Sequence, residues 1–142
     1  MRRNNLMPLL DWSDNYSVGV TEIDAHHRKL FRMLNKLHDA MRAGNAKILI
    51  GSIVEELFDY AKYHFQKEES LMEKIEYSEL EEHREAHKKF IASVEEYKAL
   101  ADKGMEAFLS TGISSFLTEW LKSHIGVMDK KYQKDMNAAG IR

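Results

Sequence analysis

The sequence predicts an all-α fold, an up-down-up-down four-helix bundle with an extended N-terminal arm and a short C-terminal segment. The only proline is Pro8, so no later residue forbids helix on that ground. Apolar residues make up 44% of the 142-residue chain, which is enough for a core. They recur at alternating spacings of three and four residues, a pattern typical of the seams between bundle helices.

One domain is expected over residues 1–142, with an arm at 1–20, the bundle at 21–128 and a final segment at 129–142. Thr21 and Asp24 can form a capping pair that opens the first helix.

Gly44 ends the first helix, and the second runs from Asn45 to about Lys74. The third helix opens with a capping box formed by Ser78 and Glu81, and the fourth spans roughly residues 106–125. Gly104 stops the third, and the final segment adds a helical turn or two.

The composition excludes several classes of function. Lysine and arginine total 21 against 23 acidic residues, a net charge of −2, whereas a nucleic-acid-binding protein would present a basic face. The absence of cysteine excludes disulfides, thiolate catalysis and cysteine-based zinc sites. There is no run of apolar residues long enough for a signal peptide or a membrane helix, so we expect a soluble cytoplasmic protein without membrane insertion.

Histidines interrupt the apolar seams of all four helices. Five of the seven histidines lie there: His27, His64, His83, His87 and His124. Burying an imidazole without a partner costs roughly 1–3 kcal/mol, so five buried imidazoles call for a shared metal centre.

Residue spacing supports such a centre. His64 and Glu68, like His83 and His87, are four residues apart and therefore share a helix face. His124 and Asp129 are five apart, which does not share a face in a straight α-helix. We therefore expect the helix to end or bend at Gly126, so that Asp129 reaches the centre from beyond the helix end.

Five imidazoles and two carboxylates exceed the needs of one ion and suit two, with the carboxylates as bridges. Calcium and magnesium prefer oxygen ligands throughout, and structural zinc is bound by four protein ligands with no open coordination position. Imidazole with carboxylate suits iron, while zinc, copper and nickel stay open on these grounds alone.

The motifs together resemble a bacterial hemerythrin. The chain has "DAHH" at 24–27, "HFQKE" at 64–68, "HREAH" at 83–87 and "HIGVMD" at 124–129, one motif for each helix in the family's order. The arm from Trp12 to Asp24 also matches the family pattern, and the resemblance covers nearly the whole chain.

This resemblance implies a non-haem di-iron centre that binds O₂ reversibly. By family position, His83, His87 and His124 hold one iron, and His27 and His64 hold the other. Glu68, Asp129 and an oxo or hydroxo group bridge the two irons, and the second iron keeps an open position for O₂. The residues implied to line the O₂ pocket are all apolar: Leu30, Phe65, Trp120, Leu121 and Ile125.

An apolar pocket offers no acid to the bound ligand, which favours a carrier for oxygen storage, transport, delivery or scavenging over an enzyme. NO and azide-like anions are further candidate ligands. The alternatives are an O₂ or redox sensor that acts through a partner, a di-iron peroxidase or oxidase, a nitric-oxide-handling protein, and a metal buffer.

Neighbouring residues have simpler expectations. His26 is expected at the surface, with a place beside the metal ligands or at the rim of the site as the alternative. Glu69 is expected to face away from the site. Tyr132 either hydrogen-bonds a bridging carboxylate or only packs the C-terminal segment. Trp12 and Tyr16 are expected to be packing residues.

Overall fold

A computed structural model describes residues 10–43, 46–102 and 106–142, and their side chains except those of residues 46–50, 101–102 and 106–111. The four long helices are α1 (Thr21–Arg42), α2 (Ala46–Lys74), α3 (Leu80–Asp102) and α4 (Glu106–Trp120). Pro8, Gly44, Asn45 and Gly104, which figure in the predicted boundaries, lie outside the described residues. α3 begins two residues after the predicted cap at Ser78.

The helical backbone continues beyond α4 rather than ending near residue 125. A π-helical segment spans Leu121–Met128, a 3₁₀ turn spans Asp129–Tyr132, and a short helix α5 spans Gln133–Ala138. The predicted helical turns of the C-terminal segment are therefore present. The predicted end of the fourth helix is too early, and the reason lies in the π-helical geometry described below.

The four helices pack as the bundle that the sequence predicts. α1 lies against α2 and α4, and α3 lies against α2 and α4. The apolar interior is divided into two clusters. The larger one includes Leu30, Phe65 and Leu121, and the smaller one includes Ile23 and Met72.

A polar layer lies between these two clusters. Along α1, His27 lies between Ile23 of the smaller cluster and Leu30 of the larger one. Along α2, Glu68 likewise lies between Phe65 and Met72. Any ligand bound in this layer is thus shielded from water by apolar residues on both sides.

The N-terminal arm is tied to α1 by a buried carboxylate. Asp24 Oδ2 accepts a hydrogen bond from Ser17 Oγ at 2.6 Å, and Oδ1 accepts one from the Val18 amide at 2.8 Å. The predicted capping pair of Thr21 and Asp24 is therefore wrong, because Asp24 bonds to the arm and Val20 is the N-cap of α1.

The aromatic residues of the arm pack on α1, as expected. The rings of Trp12 and Tyr16 meet Phe31 edge-on, with centroid separations of 5.3 and 4.9 Å. In the part of the chain that the structure describes, no helix is both long and apolar enough to cross a membrane.

Candidate metal centre

All seven predicted metal-binding side chains meet in the polar layer between the apolar clusters. They form two groups that share both carboxylates, and within each group the potential ligand atoms lie within 4.8 Å of one another. The first group is Glu68, His83, His87, His124 and Asp129; the second is His27, His64, Glu68 and Asp129. Every one of these residues is buried.

The helices deliver these side chains by simple periodicity. α1 contributes His27, α2 contributes His64 and Glu68 one turn apart, and α3 contributes His83 and His87 one turn apart. Because residues four apart project from one helix face, each pair points into the same layer of the bundle.

The π-helical segment supplies His124, and Asp129 directly follows its last residue. In a π-helix the backbone N–H bonds to the carbonyl five residues earlier, and the Asp129 N–H donates to the His124 carbonyl. Residues five apart therefore share a face, and Asp129 Oδ1 lies 2.9 Å from His124 Nε2. The predicted end or bend at Gly126 is wrong, since a wider helical turn, not an interruption, aligns the two residues.

The two carboxylates lie between the two histidine groups, each with one oxygen facing each group. Glu68 Oε1 is 3.2 Å from His83 Nε2 and 3.0 Å from His87 Nε2, whereas Oε2 is 3.6 Å from His64 Nε2 and 3.7 Å from His27 Nε2.

Asp129 repeats this division on the same two groups. Its Oδ1 is 2.6 Å from His83 Nε2, and its Oδ2 is 3.1 Å from His27 Nε2. With His124 also facing Oδ1, both carboxylates are oriented as bridges between two neighbouring ion positions.

Several buried polar atoms of the cluster have no hydrogen-bond partner of good geometry among the described residues. They are Nδ1 and Nε2 of His27, Oε1 of Glu68, Nε2 of His87, Nε2 of His124 and Oδ2 of Asp129. Unsatisfied atoms at this depth are costly. Because most of them face the centre of the cluster, this donor set fits bound cations, and imidazole with carboxylate suits a transition metal such as iron.

The electrostatics of the metal-free cluster show how strongly these groups interact. Burial lowers the pKa of His27, but the carboxylates of Asp129 and Glu68 outweigh it and raise this pKa to about 9. The same balance raises the pKa of His83 to about 10. For His64 burial dominates, and its pKa falls to about 3.

The carboxylates shift in the opposite direction. Burial favours the neutral acid, but the surrounding histidines outweigh it and hold the pKa of Glu68 well below its usual value. The pKa of Asp129 is likewise lowered, with His124 and His27 outweighing burial and the repulsion of Glu68. Both side chains are therefore ionised, as metal ligands must be.

Tyr132 lies beside one of these carboxylates. Its hydroxyl donates a hydrogen bond of 2.7 Å to Glu68 Oε2, and both residues are fully buried. Burial and the negative charge of Glu68 raise the pKa of Tyr132 well above its usual value, so the phenol keeps its proton. Of the two roles considered for Tyr132, the hydrogen bond to a bridging carboxylate is the one observed.

Two expectations about neighbouring residues are wrong. His26 is buried, and its Nδ1 lies 2.9 Å from His64 Nδ1. Glu69 does not face away, because its Oε2 accepts a 2.7 Å hydrogen bond from His87 Nδ1. Both residues lie off the apolar seam of their own helix, which is why they were not expected at the site. Each side chain nevertheless reaches a histidine of a neighbouring helix.

The apolar residues implied to line an O₂ pocket surround the cluster. Leu30, Phe65, Leu121 and Ile125 are buried, and Trp120 is half-buried. The ring of Phe65 stacks on His87 with a centroid distance of 3.8 Å, and Trp120 stacks on His124 at 4.1 Å. Their placement beside the histidines is observed, and their contact with O₂ stays a prediction.

Fold and site together define a class: a four-helix bundle whose core carries a histidine and carboxylate cluster able to hold metal ions. Comparison with known proteins narrows this class. The hemerythrin HHE cation-binding domain matches residues 18–134. The chain is 34% identical to a bacteriohemerythrin of Stenotrophomonas maltophilia over 132 residues. This aligned region covers 93% of this chain and 84% of that protein.

Other relatives agree. A bacteriohemerythrin of Methylococcus capsulatus is 32% identical over 133 residues, covering 93% of this chain and all (100%) of the relative. The crystal structure of a wild-type hemerythrin superposes with a TM-score of 0.81 at 30% identity, covering 89% of this chain and 96% of the other. The chain belongs to the hemerythrin family of di-iron proteins, whose members mainly bind O₂.

Proposed function

We propose that the seven clustered residues hold two iron ions and that the protein binds O₂ reversibly, for storage, transport, delivery or scavenging. His83, His87 and His124 would hold one ion, and His27 and His64 the other. Glu68, Asp129 and an oxo or hydroxo group would bridge them. Such a di-iron centre, when bound, supplies the redox chemistry by which O₂ is taken up and released.

One observation carries this proposal: each carboxylate directs one oxygen to each histidine group. Glu68 Oε1 faces His87 at 3.0 Å and its Oε2 faces His64 at 3.6 Å, so the side chain spans the two positions. The two groups also differ, since one has three imidazoles and the other has two. That inequality leaves the second ion with one protein ligand fewer, as a ligand-binding position requires.

The surrounding residues favour a carrier over an enzyme. Leu30, Phe65, Leu121 and Ile125 exclude water from the cluster and carry no ionisable group. Tyr132, the nearby phenol, is already committed as a donor to Glu68 and keeps its proton. These residues therefore hold a dry site without supplying protons to a bound ligand.

Absorption spectroscopy of the iron-loaded protein tests the proposal. The anaerobically reduced protein is measured before O₂ is admitted, after it is admitted and after it is removed. We expect a visible charge-transfer band that appears with O₂ and disappears on its removal. His64→Ala should abolish the band, whereas His38→Ala, a half-buried histidine of α1 outside the cluster, should leave it unchanged.

Each other outcome points to a different function. A band that persists after O₂ is removed would indicate oxidised iron and support a sensor or an enzyme, which turnover with a reductant would then separate. If the protein takes up iron but no band forms, the site would be a metal buffer. Failure to retain two irons per chain would refute the proposed di-iron site.

A further inference from the structure

A second histidine of α1 reaches the proposed metal centre without belonging to it. His26 is 7% exposed, and its Nδ1 lies 2.9 Å from Nδ1 of His64 on α2. Its ring also meets two tyrosines of α2, with centroid separations of 5.8 Å to Tyr60 and 5.5 Å to Tyr63. His26 therefore occupies a defined aromatic setting against the outer edge of His64, on the side away from Glu68.

The two nitrogens of His64 have separate partners. Nε2 faces the cluster, 3.6 Å from Glu68 Oε2, whereas Nδ1 faces His26. A neutral imidazole that binds a metal through Nε2 carries its proton on Nδ1. That N–H must then donate to an acceptor, and His26 Nδ1 is the atom at hydrogen-bond distance.

We propose that His26 is a positioning residue of the metal centre, which accepts the Nδ1–H of His64 and thereby sets the tautomer and ring orientation of that ligand. This inference rests on the proposed function, because it takes His64 as a metal ligand. It requires His26 itself to carry its proton on Nε2. Its role is to orient His64, and His26 does not contact the ions.

The setting suits this role. An acceptor positions a donor only if the acceptor itself is held, and the rings of Tyr60 and Tyr63 hold His26 from one side. Tyr60 is in turn covered by the Lys29 ammonium, 4.4 Å from its ring centroid. Partners that orient metal-binding histidines typically change metal affinity or activity by about 10–100-fold when they are removed.

Three variants separate the hydrogen bond from packing. His26→Leu removes the acceptor and keeps an apolar side chain, and His26→Gln restores an acceptor oxygen. His38→Leu makes the same replacement on the same helix outside the cluster. Each protein is loaded anaerobically with iron(II), and the rate of iron loss to an excess of chelator is measured, together with the unfolding midpoint of the metal-free form.

We expect His26→Leu to lose iron about 10–100-fold faster than the wild type. His26→Gln should lie within a few-fold of the wild type, and His38→Leu should match it. Equal rates for His26→Leu and the wild type would overturn the proposal. Equal impairment of His26→Leu and His26→Gln would also overturn it, because the shape of the ring rather than the hydrogen bond would then matter.

A measurement on the wild type keeps the test decisive even if His26→Leu does not fold. In ¹⁵N-histidine-labelled protein loaded with zinc(II), nitrogen–proton correlation spectra should show His64 protonated on Nδ1 and His26 protonated on Nε2. A proton on His26 Nδ1 would overturn the proposal. If the wild type retains iron and His26→Leu loses iron at the same rate, this inference alone is refuted. If the wild type retains no iron, the proposed function is refuted and this inference with it.

Discussion

The hydrogen bond from Tyr132 to Glu68 gives the most direct test of how the cluster is held. Tyr132→Phe removes a single oxygen and leaves the ring, which is fully buried and packs edge-on to Tyr77 at 6.2 Å. No large cavity is created, so the change isolates the 2.7 Å bond to Glu68 Oε2. We expect the metal-free protein to unfold more easily.

The size of the effect follows from the charge of the acceptor. Hydrogen bonds to charged groups contribute about 1.5–3 kcal/mol. His83 Nε2, 3.2 Å from the other oxygen of Glu68, still faces the carboxylate in the variant, which places the expected loss nearer the lower end. A loss of about 2 kcal/mol corresponds to a fall in Tm of roughly 4–8 °C for a chain of this size.

Urea unfolding of the metal-free protein, followed by circular dichroism, measures this loss. Tyr63→Phe is the matched control, since it deletes a hydroxyl from a side chain that is 56% exposed and should change stability by less than about 0.5 kcal/mol. If Tyr132→Phe shifts the free energy of unfolding no more than this control, the bond does not stabilise the cluster and the reasoning fails.

Three further predictions concern protons and helix packing. At about pH 7 the raised pKa values keep His27 and His83 protonated in the metal-free protein. Metal binding should therefore release about two protons from these histidines, which an indicator dye in weak buffer would measure. If no protons are released, the assignment of His27 and His83 as metal ligands is contradicted. The raised pKa values of His27 and His83 also stabilise the metal-free fold, and this contribution to the free energy of unfolding is fully present below about pH 6.5. The midpoint of urea unfolding should fall as the pH rises through about 9–10, where the contribution is lost. Gly126→Ala should be neutral or stabilising by up to about 1 kcal/mol. Gly112→Ala should be the less stable variant of the two, because its new Cβ would lie 3.3 Å from the Tyr97 ring. The reverse order of the two variants in thermal unfolding would contradict the packing at Gly112.

The sequence predicted what depends on position along a single helix. The spacing of His64 and Glu68, and of His83 and His87, places each pair on one face in any α-helix, whatever packs against it. Apolar residues on the same stripes then direct both pairs into the core. This is why the bundle, and the seven side chains that meet in it, could be read from periodicity and from the resemblance to a known family.

Local periodicity misled where the backbone departed from the α-helical repeat. The five-residue interval from His124 to Asp129 suggested an interruption at Gly126, but the chain instead widens into a π-helix. The α-helical and π-helical forms differ by one residue per hydrogen-bonded turn. The choice between them depends on the neighbours of the segment, which the segment's own sequence does not record.

Contacts between helices were decided only by the tertiary structure. His26 and Glu69 lie off the seam of their own helices, yet one meets His64 and the other meets His87. Asp24, predicted as part of a cap, binds the arm instead. The sequence by itself therefore determined which residues face the core, through the period of a single helix. The rotation and separation of packed helices decided which polar groups touch, because a side chain's partner on another element depends on the relative placement of both.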